Sequence, residues 1–355
     1  MGFFSSLLAA GEFPPLRGGE YITKLMLLVG DIGGTKTDLA IYSRKSDANS
    51  PLARKQFHSA DYVSLQAIVT EFLTEMKLPV NHAIFDVAGP VIKKSVATTN
   101  LPWLMDEDSL ASDLNLKSVH LMNDLEAVAR AIPVLRDSDI VTLNIGEPVP
   151  KAAIGVVAPG TGLGESFLVW DGSRYVPQSS EGGHTSFAPT ETRQIRLLEH
   201  MLARADHVSV ERVCSGIGIP NIYEYLREVE QVYETPEIAR RIASAEDRTK
   251  VIINSAVDPH NESPLCRATI EMFVAILAGE AGNLALKVLA AGGIYLAGGI
   301  VVHTLSALDE PEFMRAFTNK GRLSELLKRI PVHAITTNAA LLGAATYGLE
   351  NLTDY

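Results

Sequence analysis

Short apolar runs separated by glycine-rich turns dominate the first part of the chain. Residues 25–29 are an aliphatic run with the length of a buried strand. Apolar residues alternate with others at positions 39 and 41, which predicts a second strand over residues 37–42. The turn between these runs contains Gly33 and Gly34, and we expect both glycines to adopt positive φ at the tip of a hairpin.

The residues after this hairpin predict strands and helices in alternation. Residues 64–76 have apolar side chains at i, i+3, i+4 and i+7, which is typical of an amphipathic helix. The other predicted elements are strands over 51–57, 83–88 and 119–122 and helices over 106–114 and 125–132. Such an order indicates a β-rich start followed by βαβ units.

The second part of the chain repeats the glycine-turn hairpin. Strands are predicted over 152–158, 165–170 and 175–178, with a glycine-rich turn after the first. Helices are predicted from residue 191 to about 290, the longest over 264–289, followed by strands over 293–300 and 332–335 and a helix over 339–349. The repeat predicts a duplicated fold that holds a nucleotide between its two hairpins.

Composition narrows the class of protein. The 355 residues favour two domains, and 46% hydrophobic with 21% charged residues is ordinary for a soluble protein. A net charge of −11 argues against nucleic acid or an anionic membrane as the main partner. The two cysteines predict neither a disulfide framework nor a zinc site, so we expect a cytoplasmic protein. We find no apolar run long enough to span a bilayer, and we expect residues 1–24 to be a mobile extension.

The tip of the first hairpin is a candidate phosphate site. A turn of Gly33 and Gly34 lets backbone N–H groups approach an anion, while Thr35 and Lys36 add a hydroxyl and a positive charge. Asp31, just before the tip, is placed to orient a hydrated Mg²⁺ beside a phosphate. The alternative is an ordinary Gly-Gly hairpin with an incidental aspartate.

Two further segments follow strands where ligands collect in α/β sheets. Asn123 and Asp124 stand where a strand passes into a helix, so either one is a candidate helix cap and Asp124 is a candidate base. Gly160, Thr161 and Gly162 follow the strand over 152–158. The next segment is a strand, so this turn fits neither a P-loop nor a dinucleotide fingerprint and is predicted to be a second phosphate hairpin.

A third segment carries groups suited to sugar hydroxyls. Glu181 and His184 flank two glycines, so both side chains can converge on one small polar ligand. The alternatives are a metal site, which lacks further ligands nearby, and a plain surface loop.

These motifs, taken together, resemble those of the bacterial-type glucokinases, which share a superfamily with hexokinase, actin and the heat-shock chaperones. The similarity covers residues 25–349, nearly the whole chain. The motifs stand in family order: Asp31–Thr35, Ala88–Pro90, Thr99–Trp103, Asn123–Asp124, Ala158–Gly164, Glu181–His184, Ser209–Gly216 and Leu296–Ile300. The zinc-binding cysteine cluster of the related repressor and sugar-kinase family is missing, which disfavours that branch.

The resemblance implies a role for each matching residue. Asp124 would be the base that deprotonates the sugar 6-hydroxyl, and Asp31 would reach Mg²⁺ through water. The other hydroxyls of the sugar would be held by Asn100, Asn123, Glu181, His184 and Glu211. ATP would be held by Gly33, Gly34, Thr35, Lys36, Gly160, Thr161, Gly162, Gly298 and Gly299. Lys36 replaces the asparagine of many glucokinases, which leaves open whether it touches phosphate or solvent.

The resemblance also implies a fold and an activity. We expect an α/β protein of two ribonuclease-H-like domains of the actin-like ATPase type, each a mixed sheet flanked by helices, with a cleft between them. The smaller domain would comprise residues 25–134 plus 337–355, and the larger one residues 135–336. The implied reaction is ATP- and Mg²⁺-dependent phosphorylation of glucose by a homodimer.

Three other functions stay open at this point. One is a kinase for another hexose, such as fructose or mannose. Another is a sugar-responsive regulator without turnover, although no basic helix-turn-helix is apparent. The third is a chaperone-like or actin-like ATPase, which would not need Glu181 and His184.

Overall fold

The computed structural model describes residues 26–43, 47–97, 101–258 and 263–351. The predicted mobile extension over residues 1–24 lies outside these ranges. Asn100, a predicted sugar ligand, lies outside them as well.

In the first part of the chain, the structure contains most of the strands and helices that the sequence predicts there. Its strands are β1 (Met26–Ile32), β2 (Lys36–Ser43), β3 (Ala53–His58), β4 (His82–Val87), β5 (Ser95–Ala97), β6 (Leu104–Asp106) and β7 (Ser118–Asn123). Its helices are α1 (Leu65–Met76), α2 (Glu107–Asp113) and α3 (Asp124–Ala131). The apolar stripe predicted for α1 is buried, and the Ser64 side chain caps the helix by accepting a hydrogen bond from the Ala67 N–H.

The second part of the chain has more helices. Its strands are β8 (Ile140–Asn144), β9 (Ile154–Pro159), β10 (Leu163–Trp170), β11 (Tyr175–Ser180), β12 (Gly293–Leu296) and β13 (Val332–Ile335). Helices α4 to α8 are Thr192–Leu202, Gly218–Glu228, Pro236–Ala243, Arg248–Val257 and Pro264–Lys287. Helices α9 to α13 are Gly299–His303, Leu305–Leu308, Pro311–Thr318, Ser324–Lys328 and Ala339–Asn351.

The described residues form two large mixed sheets, and the five strands of the first correspond in order to five of the second, to which β8 adds an antiparallel edge strand. The first sheet has the order β3-β2-β1-β4-β7, and the second has β11-β10-β9-β12-β13-β8. In each sheet an antiparallel hairpin, β1–β2 or β9–β10, is followed by strands parallel to its first member. The predicted α/β fold with a duplicated hairpin unit is therefore confirmed.

The register of the first sheet brings three aspartates together. Asp31 of β1 lies opposite Asp38 of β2 and opposite Asp86 of β4. Residues that are direct partners on neighbouring strands point to the same face of a sheet. The three aspartate side chains therefore lie in a row on one face of this sheet, near the C-terminal ends of strands β1 and β4.

The last helix covers the first sheet rather than the second. Leu341 and Ala344 of α13 pack with Leu27 and Val29 of β1 and with Ile84 of β4 in one buried cluster. The small side chains of α13 allow a close approach to α3, whose Ala127 belongs to the same cluster. The chain thus crosses from the first sheet to the second and returns at its end.

Helix α8 is the core helix of the second part of the chain. Its Phe273 and Leu277 are fully buried in the largest apolar cluster. Its 24 residues are long and apolar enough to cross a membrane, contrary to our expectation that no segment reaches that length, but 78% of the apolar window is buried within the protein. Packing against neighbouring helices accounts for this composition without a membrane.

Some elements differ from the sequence-based expectation. The short hairpin β5–β6 and the edge strand β8 were not predicted. The strand predicted over 293–300 ends at Leu296, because Gly298 caps helix α9 at that point.

Candidate active site

The tip of the first hairpin is open to solvent. The Gly33 N–H donates to the Lys36 carbonyl at 2.9 Å, and Thr35 and Lys36 are exposed. Neither Gly33 nor Gly34 has a positive φ, so that part of our prediction is wrong. Gly33 is instead required by close approach, since an added Cβ would lie 2.9 Å from the Lys36 carbonyl oxygen.

Asp31 is held by a network that links the start and the end of the chain. The Asn338 amide donates to Asp31 Oδ2 at 2.9 Å and to Asp38 Oδ2 at 3.3 Å. Asp38 in turn accepts a 2.6 Å hydrogen bond from the Arg54 guanidinium. Burial raises the pKa of Asp31 above its usual value, while the Asn338 hydrogen bond opposes this effect.

Asp86, which sequence analysis did not single out, lies beside Asp31 in the same row. It is fully buried, and its carboxyl oxygens make no side-chain hydrogen bond of good geometry within the described residues. A weaker hydrogen-bonding interaction joins it to the Asp31 carboxyl. Burial and the negative charges of Asp31 and Asp124 raise the pKa of Asp86 well above its usual value. Asp86 therefore keeps its proton to a higher pH than an exposed aspartate does.

Asn123 and Asp124 divide the two roles that the sequence left open. Asn123 is the cap of α3, because its Oδ1 accepts from the backbone N–H groups of Leu125 at 3.0 Å and Glu126 at 3.3 Å. Its Nδ2 donates to the Gly89 carbonyl at 3.0 Å. Asn123 is therefore the cap of α3, and Asp124 Oδ1 shares the Leu125 N–H with it.

The environment of Asp124 suits a general base. Burial raises its pKa to about 6, the Leu125 N–H lowers it by donating to Oδ1 at 2.8 Å, and the charge of Asp31 raises it. A carboxyl group with this pKa is ionised at neutral pH and is a better proton acceptor than an exposed aspartate.

The second glycine loop is a tight turn between β9 and β10. The Gly160 N–H donates to the Gly162 carbonyl, and the Gly216 N–H donates to the Gly160 carbonyl, both at 2.8 Å. Glu211, a predicted sugar ligand, accepts from the Leu163 N–H at 3.0 Å, and its carboxylate occupies the space that a side chain at Gly162 would need. Glu211 thus supports this loop, and the Thr161 side chain stays exposed at its tip.

The second loop and the candidate base are neighbours across the two sheets. A Cβ at Gly164 would lie 3.0 Å from Leu125 Cδ2. Gly164 is at the start of β10, directly after the loop, and Leu125 directly follows Asp124. This contact brings the predicted phosphate loop of the second sheet to the first turn of α3.

The predicted sugar loop presents two side chains to solvent. Glu181 and His184 are 88% and 65% exposed, with 3.9 Å between Oε2 and Nε2. The two glycines between them are buried, and a side chain at Gly183 would overlap the Leu163 carbonyl oxygen. The loop therefore lies flat on β10 and directs its polar side chains outward.

The predicted adenosine motif adjoins the second phosphate loop. Gly298 adopts φ +95°, and an added Cβ would lie 2.7 Å from the Pro159 carbonyl oxygen. Gly299 has no atom within 4 Å of the position of an added Cβ. Only glycine fits position 298, and the open backbone at 299 leaves room for a flat ring.

The solved structures that share this duplicated fold include sugar kinases. A glucokinase from an Antarctic psychrotroph has a TM-score of 0.76 and 30% identity, and the match covers 92% of this chain and 99% of that one. A ROK family glucokinase from Streptomyces griseus, in complex with glucose and AMPPNP, has a TM-score of 0.59 and 18% identity, with 91% and 98% covered. The fold is that of the sugar kinases of the actin-like ATPase type.

Sequence comparison identifies the family within this class. The profile of the glucokinase family matches residues 28–351. A glucokinase from Nostoc punctiforme is 38% identical over 334 residues, which span 90% of this chain and 98% of that relative. The chain belongs to the glucokinase family.

Proposed function

We propose that this protein transfers the γ-phosphoryl group of ATP to the 6-hydroxyl of glucose, with Asp124 as general base. The observation that carries this proposal is the position of Asp124, largely buried where the first turn of α3 meets the loop before β10. Phosphoryl transfer requires a positioned acceptor and stabilised charge more than covalent help from the protein. An ionised carboxylate that lies near the Gly160–Gly162 turn and senses the charge of Asp31 would meet both requirements.

The glycine turns supply the stabilising donors. The Gly33 and Gly160 N–H groups are used within their own turns, so the N–H groups of the residues that follow them, Gly34 and Thr35 in the first turn and Thr161 and Gly162 in the second, would cradle the phosphates. The Thr161 hydroxyl would donate to the transferred group. Adenine would lie over Gly298 and Gly299. On the sugar, Glu181 and His184 would take outer hydroxyls, and Asn123 and Asp124 would face the reacting end.

The carboxyl groups present fit a hydrated Mg²⁺. In the described part of the chain, no group of three or more His, Cys, Asp or Glu side chains is arranged to hold a metal ion. Mg²⁺ in kinases keeps several waters and uses one or two carboxylates together with the phosphates, so Asp31 alone suffices as a contact through water. When bound, Mg²⁺ would neutralise charge on the transferring phosphate.

Closure of the two domains would keep water from the phosphate. We propose the division into residues 25–134 plus 337–355 and residues 135–336, which follows the two sheets and assigns α13 to the first. Closing on the sugar would complete the site and suppress hydrolysis of ATP. Glu181 and His184, exposed as the structure stands, would become buried by the bound sugar.

The test of the function is a coupled assay across hexoses with ATP. Glucose should give the highest kcat/KM. A higher value for fructose or mannose would make this a kinase for that sugar, and ATP hydrolysis independent of any sugar would favour a chaperone-like ATPase.

The pH profile of the free enzyme tests the base. Because Asp124 must be ionised to accept a proton and burial raises its pKa to about 6, kcat/KM for glucose should fall as the pH drops below 6, approaching tenfold per unit. Steady-state kinetics from pH 4.5 to 8 measures this limb. A profile that stays flat down to pH 5 would contradict the assignment.

The metal contact is tested by Asp31→Asn. This change keeps the shape but removes the charge, and it should weaken the apparent Mg²⁺ affinity by about 10- to 100-fold. Mg²⁺ titration at saturating ATP and glucose measures the effect, with the exposed Asp113→Asn as control. Identical Mg²⁺ curves for wild type and Asp31→Asn would exclude this role.

Two further expectations concern the cellular location and the oligomeric state of the enzyme. Cys214 and Cys266 are both free and buried, which fits a cytoplasmic enzyme in a reducing compartment. The homodimer implied by the resemblance stays a prediction, and sedimentation equilibrium is its test.

A further inference from the structure

A pair of buried carboxyl groups lies beneath the sugar loop. Glu165 of β10 is 1% exposed and Glu280 of α8 is 5% exposed. Glu280 accepts from Lys287 Nζ at 3.0 Å and from Asn283 Nδ2 at 2.9 Å, so its charge is compensated. Glu165 Oε1 is buried without a hydrogen-bonding partner among the described residues. Glu280 acts on the Glu165 carboxyl through its negative charge and through a side-chain hydrogen bond.

The Glu165 carboxyl supports the backbone of the sugar loop. A Cβ built at Gly182 would overlap Oε2 of Glu165, so the main chain of the loop rests directly on this carboxyl. The backbone at Gly183 packs closely against the carbonyl oxygen of Leu163, which belongs to β10, the strand that also carries Glu165. The position of Glu165 therefore determines how closely the backbone of the loop that carries Glu181 and His184 can approach β10.

We propose that Glu165 is a positioning residue for the sugar, and that its neutral carboxyl holds the loop of Glu181 and His184 in the conformation that binds glucose. Loss of the Glu165 proton would then weaken sugar binding. This inference rests on the proposed function, because it assigns a ligand to that loop.

The surrounding charges explain why the proton is retained. Burial and then the negative charge of Glu280 raise the pKa of Glu165 to about 7, and Lys287 opposes this effect. The neutral Glu165 can donate its proton in a hydrogen bond to the Glu280 carboxylate, whereas two carboxylates side by side would repel each other.

Other titratable groups around the pair do not relieve this repulsion. The Cys214 thiol is buried, and burial together with the charges of Glu280 and Glu165 raises its pKa well above the usual value. Lys320 directs its ammonium to the Gly279 carbonyl and to Asn283 Oδ1. An ionised Glu165 would therefore have to move, and Gly182 lies directly against it.

The first experiment compares glucose binding in wild type and Glu165→Gln. The amide is neutral at every pH and can still donate to Glu280, so it mimics the protonated acid. From pH 6 to pH 8 the glucose KM of wild type should rise about tenfold, as for loss of one proton with a pKa near 7, while that of Glu165→Gln should stay within about twofold. The acid limb assigned to Asp124 should persist in both proteins.

This experiment has a matched control variant and one outcome that would contradict the positioning role of Glu165. Glu199→Gln changes an exposed residue of α4 and should keep the wild-type dependence of KM on pH. If KM of Glu165→Gln rises with pH as steeply as that of wild type, Glu165 does not position the sugar.

A second measurement is independent of any reaction. Because the folded-state pKa of Glu165 is above its value of 4.5 in the unfolded chain, the folded state binds the extra proton, and stability should fall as pH rises from 4.5 to 7. The unfolding equilibrium constant of wild type, relative to that of Glu165→Gln, should rise by up to tenfold per pH unit in this window.

The glucose KM and the unfolding equilibrium together distinguish failure of this inference from failure of the proposed function. A stability difference without a KM difference would make the pair purely structural and overturn the positioning role. Absence of the stability difference would mean that Glu165 is already ionised, which also overturns it. If glucose is not phosphorylated at all, calorimetric glucose binding at pH 6 and 8 replaces KM, and no binding at either pH overturns both proposals.

Discussion

Asp124→Asn is expected to lower kcat for glucose phosphorylation by about 10²- to 10⁴-fold, the usual contribution of a positioned general base. The glucose dissociation constant should stay within about tenfold of wild type, because asparagine keeps the shape and part of the hydrogen bonding. Asn123 remains the cap of α3, so the helix should not unravel when Asp124 changes. Rapid-quench or coupled kinetics, together with calorimetric glucose binding, would measure the two quantities separately.

A control substitution at a different aspartate shows whether the loss of kcat is specific to Asp124. Asp137→Asn replaces an exposed aspartate in a short turn and should leave both quantities as in wild type. If Asp124→Asn loses glucose affinity and kcat to the same extent, or loses its folded structure, Asp124 is a structural residue and the proposed mechanism is wrong.

Gly343→Ala should produce the largest loss of stability among single-methyl additions described here. An added Cβ at Gly343 would overlap the Ala127 carbonyl oxygen of α3 and lie 3.0 Å from the Ala131 nitrogen. Backbone atoms of a packed helix cannot give way as a flexible side chain can, so α3 and α13 must separate. Overpacking of this kind costs about 1–3 kcal/mol of unfolding free energy, and denaturant unfolding would measure it.

The control for this variant is another glycine in a helix. Gly279 of α8 has nothing within 4 Å of an added Cβ. Gly279→Ala should therefore be neutral or stabilise the protein by up to about 1 kcal/mol, since alanine is the better helix former. A Gly343→Ala protein as stable as Gly279→Ala would show that the α3–α13 contact is looser than described.

Local patterns were sufficient to predict most of the fold. The hairpins β1–β2 and β9–β10 and the helices α1 and α8 were found because period, length and turn residues all agree within each segment. The edge strand β8 was missed because its partner β13 is far away in sequence, and its own pattern is weak. The start of α9 was missed because the cap is a glycine in an apolar run, which carries no Ser, Thr, Asn or Asp signal.

The candidate site was predictable only where its residues lie in motifs. Asp124 and the glycine turns stand at strand ends, where position alone indicates a ligand. Asn338, Asp86 and Glu165 had no such signal, because their roles come from partners on other strands and from burial. The α8 helix shows the same limit, since its apolar composition reflects burial on all sides and cannot be told from a membrane segment without its neighbours.

The return of the chain to its first sheet has a consequence for biosynthesis. Leu27, Val29 and Ile84 are covered by α13, which is synthesised long after the strands that carry them. A nascent chain that ends before residue 339 carries this apolar sheet face without its cover. This face of the first sheet is therefore covered only after residues 339–351 have been synthesised, and shorter translation products should depend on chaperones or aggregate.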